Sequence, residues 1–488
     1  MTALDGRAPP RADAAGEPTR PLGSALLGQG CVAAVWLVAA WLLGSIHFMT
    51  GAVLFCLAPL VVLAVGRRIV RQPLLVIDPA LTFATSFSVF FLAGLVTLGS
   101  GLRYASRGDI DETFVLTAVA QLAVIVVVMV VPSRAGTPET AAPAASTALS
   151  LRRVSLFAQS LVAGALGGTA LTVAQAGGIG SAVETLTAHN KALLDSLENS
   201  AGRSAWQLFA LPACIALGSL LFVEGVPGRA RRFYATEIIV LLLVGLLLYG
   251  SRLLLTLAMV GLAAVYCCAT RRPIRWSVVA CVGLLITVIS IPLLTARTGT
   301  TSGSSGEDLA DIVGYGIFDV SIASVVVSDE LGEQLRDPRR LALAAGSVVP
   351  LVGVQAADLN PIRLDTLVAQ YIDGGNVRRG LITGFPPSLP TALLATFGFA
   401  GAGAAGFVLG RLAAATNRWL LRLHQRGRSA ISVFWYGLGV TMLFNTFKDG
   451  DLLISMAGFA KNLIVLAVIY GIVVLITAER QGERGNVR

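Results

Sequence analysis

Charge is scarce in this chain. Only 13% of its 488 residues are Asp, Glu, Lys or Arg, about half the share found in a soluble globular protein. Acidic residues are scarcest in the long apolar runs, none of which carries an Asp or Glu in its interior. Transporters coupled to protons or sodium ions generally hold such an intramembrane carboxylate, so coupled transport is disfavoured. Lysine supplies three of the 37 basic residues, a composition expected of a GC-rich bacterial genome. The three histidines, His47, His189 and His424, are scattered, and no Cys/His group has metal-ligand spacing, so no metal site is expected. Cys31, Cys56, Cys214, Cys267, Cys268 and Cys281 all fall in apolar runs and read as small packing residues rather than a disulfide framework. There is no Walker loop, and no cofactor is expected. The polar stretch 1–20 has no short apolar core followed by a small-residue cleavage site, so it reads as a disordered cytoplasmic tail and not as a signal peptide.

What fills the chain is apolar sequence. Hydrophobic residues make up 55% and the mean hydropathy is +0.76, the composition of a polytopic membrane protein. A spanning helix needs roughly 20 apolar residues. That length selects about twelve segments: 24–44, 46–66, 79–99, 113–132, 154–176, 205–223, 237–250, 252–270, 277–295, 390–411, 430–447 and 453–477. The expected fold is therefore all-α, a membrane domain over 21–478 with short tails at 1–20 and 479–488. Alternate connections are basic: "RRIVRQP" (67–73), "LRRVS" (151–155), "GRARRFY" (228–234), "RRPIRW" (271–276) and "NRWLLRLHQRGR" (417–428). Lys and Arg in short loops are retained in the cytoplasm, which places both termini there and makes the bacterial plasma membrane the expected location. The pI near 9.6 thus reports topology and calls for no nucleic-acid partner.

Three outside connections are long: 100–112, 177–203 and 296–389, the last a large extracytoplasmic loop between the ninth and tenth spans. In the second, Val183, Leu186, Leu193 and Leu197 share a helical face, fit for a surface helix or for ordinary packing. In the third, Ser305 precedes Asp308 in a capping arrangement and opens a helical stretch to about Leu335. The Gly/Pro-rich part that follows borders a cavity, since irregular backbone at membrane depth needs protein or water around it. "GAGAAG" (401–406) has the glycines of a dinucleotide loop but sits inside a span, with no preceding strand. It and "GALGG" (164–168) read as small-residue faces for close helix packing. Lys461, inside the last span, reads as a snorkelling side chain, and Asp78-Pro79 as a helix start.

Arg252 poses the sharper question. It follows "YGS" between two spans, so the turn holds a guanidinium at the outer edge of the bilayer, where an arginine normally faces a cavity or a partner, the alternative being that it binds lipid headgroups or snorkels. Seven more basic residues occupy the large outside loop: Arg297, Arg336, Arg339, Arg340, Arg363, Arg378 and Arg379. "RDPRR" (336–340) is most simply an exposed turn, paired with Asp329, Glu330 or Glu333. Arg252, Arg297, Arg363, Arg378 and Arg379 are the candidate anion ligands, because the planar guanidinium grips phosphate with two parallel bonds.

The "GSR" turn, "VVPLVGV" followed by "NPIR", the "GFPPS" segment and a span opening "TFGFAGAGAAG" together resemble the oligosaccharide repeat-unit polymerases of bacterial surface glycans, the Wzy-type or O-antigen polymerase family. The resemblance extends in layout over roughly residues 78–475. It implies a metal-independent membrane glycosyltransferase that joins polyprenyl-pyrophosphate-linked oligosaccharides outside the membrane, in company with other polysaccharide-assembly proteins. Members often carry an acidic residue between "PS" and "FG"; "PPSLPTALLATFG" has none, so no catalytic carboxylate carries over to this segment. A base is still needed for the acceptor hydroxyl. Asp319, Asp358, Asp365 and His189 are the candidates, with Asp319 and Asp365 preferred as catalytic partners of Arg252. A ligase of similar architecture and a lipid-glycan flippase are the alternatives.

Overall fold

The structure is a computed structural model that describes residues 22–69, 79–97, 111–131, 148–181, 201–247, 252–270, 321–326, 336, 364, 388–425, 429–448 and 452–485. The predicted span 277–295, the tail 1–20 and most of the loop 296–389 lie outside the described residues, as do the face formed by Val183, Leu186, Leu193 and Leu197 and the start at Asp78. Among the described residues all regular structure is helical. The long helices are α1 (Leu22–Ile46), α2 (Phe48–Ile69), α3 (Pro79–Thr97), α4 (Glu112–Val130), α5 (Ala148–Gln175), α6 (Ala201–Phe222), α7 (Gly228–Leu247), α8 (Arg252–Thr270), α9 (Leu389–Gln425), α10 (Ser429–Lys448) and α11 (Leu452–Gly485). Seven of them are long and apolar enough to cross a membrane, and three others contain shorter apolar stretches. The protein is all-helical, with the helices of a polytopic membrane protein.

Many hydroxyls inside these helices turn back on their own backbone. Thr85, Thr117, Ser160, Thr169, Thr172, Thr236, Thr270, Thr441 and Thr477 each donate to the carbonyl four residues earlier, at 2.6–3.1 Å. This is how a polar side chain is satisfied where water is absent.

Among the described residues the helices enclose two large buried clusters and a small one of Ala33, Ala58, Val62 and Val127. The first large one is formed by α1–α4, both parts of α9, Phe447 of α10 and the 321–326 helical stretch, and includes Phe83, Phe87, Phe91, Leu122 and Ile322. The other gathers α5–α8, α10 and α11 around Trp206, Phe157, Phe434 and Tyr436. Helix α10 joins the two, packing on α3 and α9 on one side and on α6 and α8 on the other. Phe157 of α5 meets Phe434 of α10 and Tyr470 of α11 edge-on, with ring centroids at 5.2 and 5.5 Å, the offset geometry that aromatic quadrupoles favour.

Helices α5 and α6 cross closely, as α1 and α2 do at Gly44 and Gly51. A methyl added at Gly168 would come within 2.7 Å of the Trp206 backbone nitrogen and 2.8 Å of the Gly202 carbonyl oxygen. One added at Gly202 would come within 2.6 Å of the Thr172 nitrogen. "GALGG" therefore works through Gly164 and Gly168, while Gly167 faces open space. The "GAGAAG" segment behaves the same way: Ala402 and Gly406 are buried, and Gly406 sits against Met129 and the Ile125 carbonyl of α4.

Gly168→Leu should force α5 and α6 apart at a cost of about 1–3 kcal/mol or more, whereas Gly167→Ala should be neutral or stabilise by up to about 1 kcal/mol through helix propensity. Thermal unfolding of the detergent-solubilised variants, followed by size-exclusion chromatography, should give a lower midpoint for the first only.

Candidate functional site

The large loop meets the helical bundle at the start of α9, and the contact is polar. Ser321 Oγ donates to Ser388 Oγ at 2.9 Å, and the Ser388 and Thr391 hydroxyls lie 2.8 Å apart. All three residues are fully buried. Ser388 is the serine of "GFPPS", and Leu389 and Pro390 open α9 directly behind it, with the Ala392 N–H bonded to the Ser388 carbonyl at 2.9 Å. Buried hydroxyls left without partners would cost roughly 1–3 kcal/mol each, so this chain of three fixes where the loop docks. Ile322, Val325 and Leu364, all buried, bring loop residues into the protein interior.

Two turns further on, α9 is interrupted. Gly398 has φ 66° and ψ 175°, non-helical values inside an otherwise helical run. The expected span 390–411 is thus two helical segments meeting at a kink, the second continuing to Gln425. A positive φ of this kind disfavours any residue with a Cβ, which explains the glycine of "TFGF". A break also exposes N–H groups at the start of the following segment and carbonyls at the end of the preceding one.

The guanidinium of Arg336 lies on this kink. A Cβ built at Gly398 would sit 3.5 Å from Arg336 Nη2 and 3.7 Å from Cζ. Sequence reasoning treated Arg336 as part of a solvated charged turn. It is indeed exposed and lies in a turn, yet its head reaches the helix break, a placement that only a fold bringing residues 336 and 398 together can produce. The guanidinium thus lies beside the backbone groups of both signs that the break frees, the N–H groups of the second segment and the carbonyls of the first.

Arg252 is the first residue of α8, and its side chain lies outside the described part. Its position along the bundle follows from its neighbours. Gly261 faces Thr441 and Gly437 faces Val265, so α8 and α10 run antiparallel and residue 252 lies level with the end of α10. Only residues 248–251 separate it from α7. At Gly245 an added methyl would reach within 2.7 Å of Leu254 and 3.0 Å of the Trp206 indole, so α7 packs closely on both α8 and α6 there. Arg297, Arg363, Arg378 and Arg379 lie outside the described residues, and so do Asp319, Asp358, Asp365 and His189. Among the described residues no group of three or more His, Cys, Asp or Glu side chains is placed to hold a metal ion. No family model matches this chain, and no curated protein or solved structure does.

Ser388→Ala should lower the unfolding midpoint, because the Ser321 and Thr391 hydroxyls lose their shared partner in a dry site, at about 1–3 kcal/mol. Thr85→Ala, which removes a hydroxyl bonded only within its own helix, should shift it by less under the same thermal assay.

Proposed function

We propose that this protein is a membrane glycosyltransferase that polymerises polyprenyl-pyrophosphate-linked oligosaccharide repeat units on the outer face of the bacterial plasma membrane. The observation that carries the reading is the Arg336 guanidinium on the Gly398 helix break. Breaking a glycosyl–pyrophosphate bond leaves growing negative charge on the departing phosphate. A preorganised arginine and the N-terminal N–H groups of a half-helix stabilise that charge more in the transition state than in the ground state. Arg252 at the head of α8 is the second arginine of the proposed clamp, with Arg297, Arg363, Arg378 and Arg379 available from the loop.

The mechanism needs little else. The donor is already activated, so neither ATP nor a nucleotide sugar enters. The acceptor hydroxyl attacks the anomeric carbon, the glycosyl–oxygen bond to pyrophosphate breaks, and the polyprenyl pyrophosphate leaves. The hydroxyl proton passes to a carboxylate, for which Asp319 and Asp365 are the proposed residues. The absence of Asp and Glu from the interiors of the apolar runs supports an enzyme over an ion-coupled flippase.

Mass spectrometry of polyprenyl-linked glycans in a strain lacking this protein tests the reading directly. Single repeat units should accumulate, and an impermeant probe should label them from outside. Long lipid-linked polymer would instead indicate a ligase, and inward-facing single units a flippase. In the same strain, Arg252→Lys should insert normally yet lower polymer output by roughly tenfold or more, because a point charge cannot reproduce the two-pronged grip on phosphate. Full polymer output from this variant would remove Arg252 from the clamp.

A further inference from the structure

Helices α5 and α7 are bridged near their N-terminal ends by side chains. The Ser155 and Tyr234 hydroxyls lie 3.0 Å apart, and Gln159 Nε2 donates to Glu237 Oε2 at 2.8 Å. Beside these bridges opens a cleft of about 470 Å³, lined by Ser155, Gln159, Pro227, Arg229, Phe233 and Tyr234. It lies on the surface of the bundle and its lining is mostly apolar.

Arg229 lines the mouth of the cleft. The helical turns that carry its lining residues are strongly basic: Arg152 and Arg153 precede Ser155 on α5, and Arg231 and Arg232 precede Phe233 on α7, against Glu224 and Glu237. Arg153 is occupied by Thr477 of α11 (Nε to Oγ1, 3.0 Å) and Arg231 by the Val223 carbonyl (3.1 Å). Arg152, Arg229 and Arg232 are exposed. Glu237 lies two turns deeper along α7 than Arg229 and is engaged by Gln159, so it does not neutralise the mouth. Away from the mouth, Phe233 is 56% exposed, and Val240 and Leu243, seven and three residues on along the same face, are exposed as well. Cation above, hydroxyl and amide at the neck, and an apolar strip below form the profile of a phospholipid molecule standing in its leaflet.

We infer that this cleft binds one anionic glycerophospholipid of the cytoplasmic leaflet. Its phosphodiester meets Arg229 and Arg232 near the Ser155 and Tyr234 hydroxyls, and its acyl chains lie along Phe233, Val240 and Leu243. Topological retention explains arginines in a loop, but retention needs only charge. It does not call for a cleft with a serine, a glutamine and a tyrosine at its neck. Anionic headgroups are drawn to such clusters, and each arginine adds to the attraction. The site belongs to the basic end of the bundle, away from the outer face used in the proposed reaction, so neither inference depends on the other.

The test is native mass spectrometry of the full-length protein in detergent, titrated with phosphatidylglycerol or with phosphatidylcholine of the same acyl chains. The parent should retain phosphatidylglycerol roughly tenfold more tightly, and Arg229→Gln/Arg232→Gln should lose that preference while still binding phosphatidylcholine. In the parent protein, a photoactivatable phosphatidylglycerol should label peptides within residues 152–159 and 227–243, and millimolar glycerol 3-phosphate should not displace it. Equal retention of the two lipids, an unchanged preference in the double variant, labelling elsewhere, or displacement by glycerol phosphate would each overturn the inference.

Discussion

Everything in this molecule follows from the lack of water along most of its length. Without solvent to pair with, each backbone N–H and C=O must find its partner inside the chain, and helices do this residue by residue. The side chains obey the same demand, as the run of Thr and Ser hydroxyls bonded to carbonyls one turn back illustrates. Lipid is as apolar as leucine, so burial alone does little to bring such helices together, and close packing takes its place. The crossing of α5 and α6 at Gly168 and Gly202 is one example, and that of α1 and α2 at Gly44 and Gly51 is another.

Polar side chains from different elements meet at a few points where they partner one another. The Ser321–Ser388–Thr391 chain docks the large loop, the α5–α7 bridges of Ser155, Tyr234, Gln159 and Glu237 fasten the opposite part of the sequence, and Arg153 ties α5 to Thr477 of α11. A hydrogen bond in such surroundings is costly to break. The same economy favours one glycine at a non-helical angle over a flexible loop. Gly398 turns α9 within a long apolar run while leaving it helical on both sides, and the arginine from the loop lies on the turn.

Much of this was legible beforehand because hydropathy and helix length are local properties. Eleven of the predicted apolar segments fall in described helices, with ends within a few residues for α3, α4, α8 and α10. The larger misfits have physical causes. Helices α7 and α9 continue past the apolar segments, α7 from Gly228 through "RARRFY" and α9 through "NRWLLRLHQ", because a helix does not stop where hydrophobicity does. The small-residue faces were also readable, from spacing. Arg336 is the exposed turn residue that its charged sequence neighbours suggest, but its proximity to Gly398 in space was not readable from them.

The sequence by itself determined that the chain is helical and built for a bilayer, that the interiors of its apolar runs are free of carboxylates, and that arginine is abundant in the loop before α9. These are matters of composition and period, and each residue carries its share without reference to the rest. Only the tertiary structure decided that "TFGF" is a break, that residues 321 and 388 share a buried hydrogen bond, and that α5 and α7 frame a cationic cleft. The last two join residues 67 and 79 positions apart, and a contact of that separation depends on how whole helices pack, which no local pattern records.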